Sequence, residues 1–304
     1  MEQFIATTLR SSTPVALAAL GCVFAWRAGI FHLGIEGLML IGALSAVVGT
    51  VATGSVWIGL FLAVATCLVA STVFWIVIVP MKANAIIAGL GLSILGLGLT
   101  SYSVRVIYHA SGAIWSQTGL WRPVTGATVG PAGAVSELSI TVWLLPFIAL
   151  SCWWILHRTR FGLRLAAVGE YPFAARSAGT SPAAMRLVAL LVTGALCGLA
   201  GADLALGSLN AFLENMTSGR GYIAFTAVIF GAGDPIGAVL ASLFFGLADA
   251  AGIQTQLVTQ GLPVPREFIL MLPYLLTVLA VWASSATRGR GSQMSGAFSE
   301  LREG

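Results

Sequence analysis

A chain of 304 residues that is 58% hydrophobic and only 9% charged, with mean hydropathy +0.94, cannot clothe a soluble core. Globular chains carry about 25% charged residues, so a water-soluble domain is excluded and the composition is that of an integral membrane protein. The formal charge of +4 and the pI near 9.1 come from basic loops and a basic tail, which argues against a nucleic-acid-binding patch.

A hydrocarbon core of about 30 Å needs about 20 apolar residues per helix. That length places a first span at Pro14 to Ala28, entered from about residue 5. Residues 1 to 12 lack a basic stretch followed by a small-residue cleavage site, so this first apolar run is expected to stay in the protein. Further spans follow at Leu33 to Thr53, Val56 to Val79 and Asn84 to about Val106, with a basic turn at Met81-Lys82. Residues 108 to 138 form a long non-basic loop, with Trp115 and Trp121 suited to a membrane interface. A fifth span covers Leu138 to Leu156 and a sixth Leu187 to about Leu209.

Between the fifth and sixth spans lies a basic stretch, 157–186, carrying His157, Arg158, Arg160, Arg164, Arg176 and Arg186 against the single acid Glu170. Such loops mark the cytoplasmic side of a membrane protein. Leu163 to Ala167 suits a short helix that Gly169 would break, and Pro172 suits the first turn of a second. The loop reads either as a docking surface for a soluble partner or as a solvated loop obeying the charge rule.

After the sixth span the pattern becomes irregular. Asn210 to Arg220 is polar, and Gly221 to Phe230 is apolar but too short to cross. Gly231 to Pro235 then breaks the chain before a span from Ile236 to about Ile253 and a last one from about Phe268 to Trp282. Residues 1–284 thus read as one transmembrane domain and 285–304 as a polar cytoplasmic tail. Basic residues put the 157–186 loop, the Lys82 turn and the C-terminus in the cytoplasm. Arg10 and Arg27 pull the N-terminus in opposite directions. Glycine-interrupted segments near Gly29–Gly37 and Gly219–Gly237 read as broken helices lining a central pathway, or as simple kinks. The fold expected is an all-α polytopic bundle of about eight to ten spans, short broken helices included.

Ionisable groups within spans are costly and tend to face an interior or an aqueous cavity. Glu36, Asp203 and Asp249 are such groups, and Glu214 stands beside the short segment. Glu36, flanked by Gly34 and Gly37, reads either as a polar group on a pathway or as a buried carboxyl bonded to a neighbouring helix. For Asp203 and Asp249 a structural role is the better expectation. The cysteines Cys22, Cys67, Cys152 and Cys197 lie in apolar stretches without metal or disulfide spacing. His32, His109 and His157 are scattered, and no HExxH, GxSxG or GxxxxGK[ST] motif occurs, so neither hydrolase chemistry nor a phosphate-binding loop is offered by this chain.

Four strings in order resemble one family. GIFHLGIEGLMLIGALSA resembles the N-terminal signature of the membrane permeases of ABC importers for nucleosides and simple sugars, which work with a binding lipoprotein of the basic-membrane-protein type. KANAIIAGLGLSILGLGLTSY resembles that family's fourth span, FGLRLAAVGEYPFAARSAG its cytoplasmic coupling loop, and ENMTSGRGYIAFTAVIFGAGDPIGAVLASLFFGLADA the region of its short helix. The strings cover most of residues 29 to 282. The GIEGL string, where ribose-type permeases carry a GIDLS-type string, favours the nucleoside branch.

The resemblance implies a non-catalytic permease subunit working by alternating access in a bacterial cytoplasmic membrane. Its partners would be an ABC ATPase that binds ATP and Mg, a second permease, usually a different chain, and an extracytoplasmic binding protein. The ATPase-docking residues would be Gly162, Leu163, Arg164, Val168, Gly169, Glu170, Ala174, Ala175 and Gly179. Pathway candidates are Glu36, Asn84, Ser93 and Glu214, and the chain departs from the family at Ala85 and Ser93, where polar residues and asparagine are common. Asp203 stands where the family is usually apolar. The competing reading is a stand-alone secondary transporter or channel with Glu36 and Asp249 as proton-linked carboxyls; an intramembrane enzyme ranks last.

Overall fold

The computed structural model describes residues 2–108, 113–122 and 138–258. These fold as an all-helical membrane bundle in which seven helices are long and apolar enough to cross a bilayer. The expected last span, Phe268 to Trp282, and the tail 285–304 lie outside the described residues.

The long helices are α1 (Glu2–Arg27), α2 (Ile35–Thr53), α3 (Val56–Ile78), α4 (Ala85–Tyr108) and α5 (Ile140–Arg158). Two short helices follow, α6 (Arg160–Glu170) and α7 (Pro172–Ser177), then α8 (Pro182–Ala202), which continues as a π-helical turn over Asp203–Leu209. The short α9 (Arg220–Phe230) and the long α10 (Pro235–Val258) complete the described bundle. Two three-residue strands, β1 (Ala113–Trp115) between α4 and α5 and β2 (Ala211–Leu213) before α9, pair antiparallel with Ile114 opposite Phe212.

Most helices begin where the sequence places them. The sixth span differs: α8 starts at Pro182 because the Ser181 hydroxyl accepts from Ala184 N at 3.4 Å and Pro182 suits a first turn. The first helix reaches back to Glu2, with Pro14 inside it. A second correction concerns Gly169. The helix runs through it to Glu170, and Gly169 serves close packing rather than termination.

α1, α2 and α8 are buried over most of their length and form the centre, whereas α3, α4 and α5 present most of theirs outward. The core runs along α1 through Leu17, Leu20 and Phe24 into Ile35, Leu38, Met39, Leu190 and Val228. α4 touches the centre through its small residues Gly89, Ser93 and Gly96, which meet Gly34 just before α2 and Gly37 in its first turn. Small side chains let helix backbones approach closely where lipid offers no hydrophobic drive.

The bundle has two distinguishable ends. α5 finishes and α8 begins at the end carrying α6 and α7, and the carbonyl of Arg27 packs on Gly169 there. α1 therefore starts at the opposite end, where β1 and β2 also lie. Arg27 sits at the α6 end and Arg10 toward the other, which accounts for their contradictory charge signal.

Candidate translocation site

The chain enters the bundle interior as non-helical backbone at two places. After α1 it runs through residues 28–34 before α2 begins at Ile35. Past the π turn it descends from β2 through Glu214 to Gly219 and then forms α9, whose 11 residues return to the α6 end. At 1.5 Å per residue α9 spans about 16 Å, so its first turn stands near half the depth of a roughly 30 Å core. The descending turn is tight, with positive φ at Asn215 (57°), Ser218 (44°) and Gly219 (86°).

Glu36 joins these two breaks. Its Oε1 accepts from Thr217 Oγ1 at 2.5 Å and from the backbone N–H of Gly219 at 2.8 Å, and its Oε2 accepts from Gly221 N at 2.7 Å. The first backbone donors of a helix have no intrahelical acceptor, and the N-terminus favours negative charge. Here a carboxylate 183 residues away in sequence from Gly219 supplies both needs. Glu36 is only 5% exposed. Gly221 permits the contact, since a Cβ there would lie 2.5 Å from Glu36 N.

The other polar groups nearby are also engaged. Arg220 pairs with Asp249 of α10 at 3.6 Å and donates to Met216 O at 3.2 Å. Glu214 pairs with Arg105 at the end of α4 at 3.5 Å. Ser93 donates to Leu33 O at 3.0 Å, fixing the chain before α2. Asn84 lies apart, at the start of α4, where its side chain accepts from Ile86 N and Ile87 N. The structure thus brings Glu36 of α2 onto the turn that Glu214 opens, sets Ser93 behind it, and leaves Asn84 at the α6 end.

Two residues that sequence reasoning left without an account now have one. Asp203, in the π turn, accepts from Ser139 at 2.8 Å and from Thr141, and so ties the start of α5 to the end of α8. His32 is fully buried and stacks on Phe74 with centroids 4.2 Å apart, its ring nitrogens lacking hydrogen-bond partners among the described residues.

At the far end of the bundle α6 and α7 form an amphipathic pair. Thr159 caps α6 by accepting from Gly162 N, and Pro172 opens α7. Of the nine residues expected to dock, Leu163, Arg164, Glu170, Ala174 and Gly179 are exposed. Gly162, Val168 and Ala175 are buried, and Gly169 is half-buried. Two exposed aromatics missing from that set, Tyr171 (64% exposed) and Phe173 (75%), extend the apolar surface begun by Leu163 (70%). Their signal was an aromatic pair in a basic loop.

Comparison with known proteins decides what this frame is. A family model for the permease component of branched-chain amino acid transport systems matches residues 4–281. The guanosine ABC transporter permease protein NupQ of Bacillus subtilis is 32% identical over 292 residues, covering 91% of this chain and 90% of the relative. The chain belongs to this permease family. A nucleoside ABC transporter permease protein, NupC of Lactococcus lactis, is 31% identical, with 92% of each chain covered. A putative glucose ABC transporter permease protein, TsgC13 of Haloferax volcanii, is 32% identical over 82% of this chain and 76% of its own. No solved structure matches.

In this permease the inward side of α6 is fastened to the bundle by backbone. A Cβ on Gly169 would lie 2.2 Å from Arg27 O, and Gly162 sits as closely on Leu156 O. Beside that contact Arg27 Nε donates to Gly233 O at 2.9 Å, and its Nη2 lies 3.4 Å from His157 Nε2. The same ring nitrogen is 3.4 Å from Asp234 Oδ1. The other Asp234 oxygen accepts from Ile236 N and Gly237 N at the start of α10. One junction therefore gathers the ends of α1, α5, α6 and α9 and the beginning of α10.

Proposed function

We propose that this permease is one of two in an ATP-driven importer of a nucleoside or simple sugar in the bacterial cytoplasmic membrane, with its C-terminus in the cytoplasm. The observation that carries the reading is the α6–α7 pair: Leu163, Tyr171 and Phe173 are exposed on an element whose inner side is fastened by Gly162, Val168 and Gly169. A chain without a nucleotide-binding loop needs a surface on which a separate ATPase, holding ATP and Mg, can act. The relatives named for guanosine, nucleosides and glucose support the solute class.

In this reading Leu163, Arg164, Glu170, Ala174 and Gly179 meet the ATPase, together with Tyr171 and Phe173. The inward set, Gly162, Val168, Gly169 and Ala175, passes the movement to α1 and α5. α1 leads directly into residues 28–34 and Glu36, so displacement at the α6 end reaches the mid-membrane turn. Glu36, Ser93 and Glu214 shape the pathway wall there, and Asn84 stands at its cytoplasmic mouth. The solute, handed over by an extracytoplasmic binding protein, crosses without covalent change.

A proton-coupled transporter would use Glu36 and Asp249 as carriers. The partners of Glu36 are all donors and Asp249 faces Arg220, an arrangement that favours the importer. The test is co-purification of the tagged chain with its ATPase and second permease, followed by uptake in proteoliposomes. ATP-dependent uptake is expected. Uptake by the chain alone under a proton gradient would replace this reading with the secondary transporter.

A further inference from the structure

The turn that carries Glu36's partners has a second side. Met216, Thr217 and Gly221 point into the protein, but Asn215, Ser218 and Tyr222 are exposed, Tyr222 by 38%. The Ser218 hydroxyl donates to Asn215 O at 3.0 Å, and Tyr222 follows in the first turn of α9. The Asn215 amide and the Tyr222 hydroxyl make no hydrogen bond among the described residues. Elsewhere at similar depth the outer surface is apolar: Ile94 is 72% exposed, Phe147 69% and Leu150 60%. Lipid suits those side chains. A polar, strained turn at that depth is stable only against water or protein.

The charged side chains beside this exposed strip are each paired within the protein. Glu36 is committed to the α9 N-terminus, Arg220 to Asp249 and Glu214 to Arg105. A helix start that could attract an anion is already filled by the chain's own carboxylate. We infer that Asn215, Ser218 and Tyr222 are the solute-contacting residues of the pathway and that they select an uncharged polar solute. The assignment rests on the importer reading and adds to it the place and chemistry of contact. Asn215 supplies an amide donor and acceptor, Ser218 a hydroxyl, and Tyr222 a ring face with a phenol.

The test is thiol accessibility in open membrane sheets holding the complete transporter. The native cysteines are buried and give little background. S218C, with N215C as a second site, is treated with a membrane-impermeant thiol reagent, and L150C serves as the lipid-facing comparison. S218C is expected to label at least tenfold faster than L150C. Guanosine or glucose should slow that labelling severalfold, and guanosine 5′-monophosphate should not. Labelling no faster than L150C would show the strip covered by lipid or the second permease and overturn the inference. Labelling indifferent to both neutral solutes, or slowed equally by the monophosphate, would overturn it too. The labelling needs no ATP, and uptake by the unsubstituted transporter is measured beside it. Absent uptake with solute protection intact would count against the importer and not against the strip.

Discussion

α9 and α10 follow one another in the chain, and each begins on a carboxylate. For α10 the acid is Asp234, directly before the helix, half-exposed, reaching Ile236 N and Gly237 N. For α9 it is Glu36, from another helix, buried, and bonded to Thr217, Gly219 and Gly221. The local cap starts a helix at the membrane edge, where water could replace it. The distant cap holds two broken helices together at a depth where water is scarce, so the same chemical interaction becomes a tertiary fastening. Context sets its value.

Substitutions can break that contrast. E36A removes both acceptors and strands three donors; at about 1–3 kcal/mol per buried unsatisfied group, it should lower the detergent melting temperature most and abolish uptake. A melting temperature equal to that of the unsubstituted protein would show that water serves the turn as well as Glu36 does. G169V places a side chain where Arg27 O lies 2.2 Å away. It should cost about 1–3 kcal/mol by overpacking and, in protein that still folds, leave ATP hydrolysis running without transport. Uptake per ATP unchanged from the unsubstituted complex would refute the junction's role.

D234A tests the local cap. Losing a cap costs about 1 kcal/mol, so its melting temperature should fall measurably but far less than that of E36A. A fall as large as E36A's would erase the distinction drawn between the two caps. F173A touches neither cap and, as an exposed site, should shift stability by no more than about 0.5 kcal/mol. Its expected effect is weaker ATPase retention on co-purification, and full retention would remove Phe173 from the docking surface.

Much of the fold was legible because apolar run length decides where a chain crosses lipid, and six of the seven long helices start within a few residues of the expected places. The start of α10 was readable too, since Gly231 to Pro235 interrupts the apolar pattern directly before it. For Glu36 a bond to a neighbouring helix was one of two readings, but the partners were not legible: two of the three donors are backbone N–H groups, which have no sequence signature. Gly169 misled because glycine breaks helices in water but lets backbones touch in a packed bundle. The β1–β2 pair escaped notice because three residues are too few to show a period. Asp203 looked anomalous in an apolar stretch until Ser139 and Thr141 appeared beside it.

The reach of Glu36 also sets a timetable for biosynthesis. Thr217 lies 181 residues further along the chain, and at about 5–20 residues per second a ribosome needs roughly 10–40 s to make that stretch. For most of that interval α2 is complete but the donors for its carboxylate do not exist. The early helices must therefore be sheltered at the insertion site, or held loosely, until the turn before α9 arrives and locks them. A chain stopped before Thr217 should be cleared by quality control far faster than one stopped after Phe230.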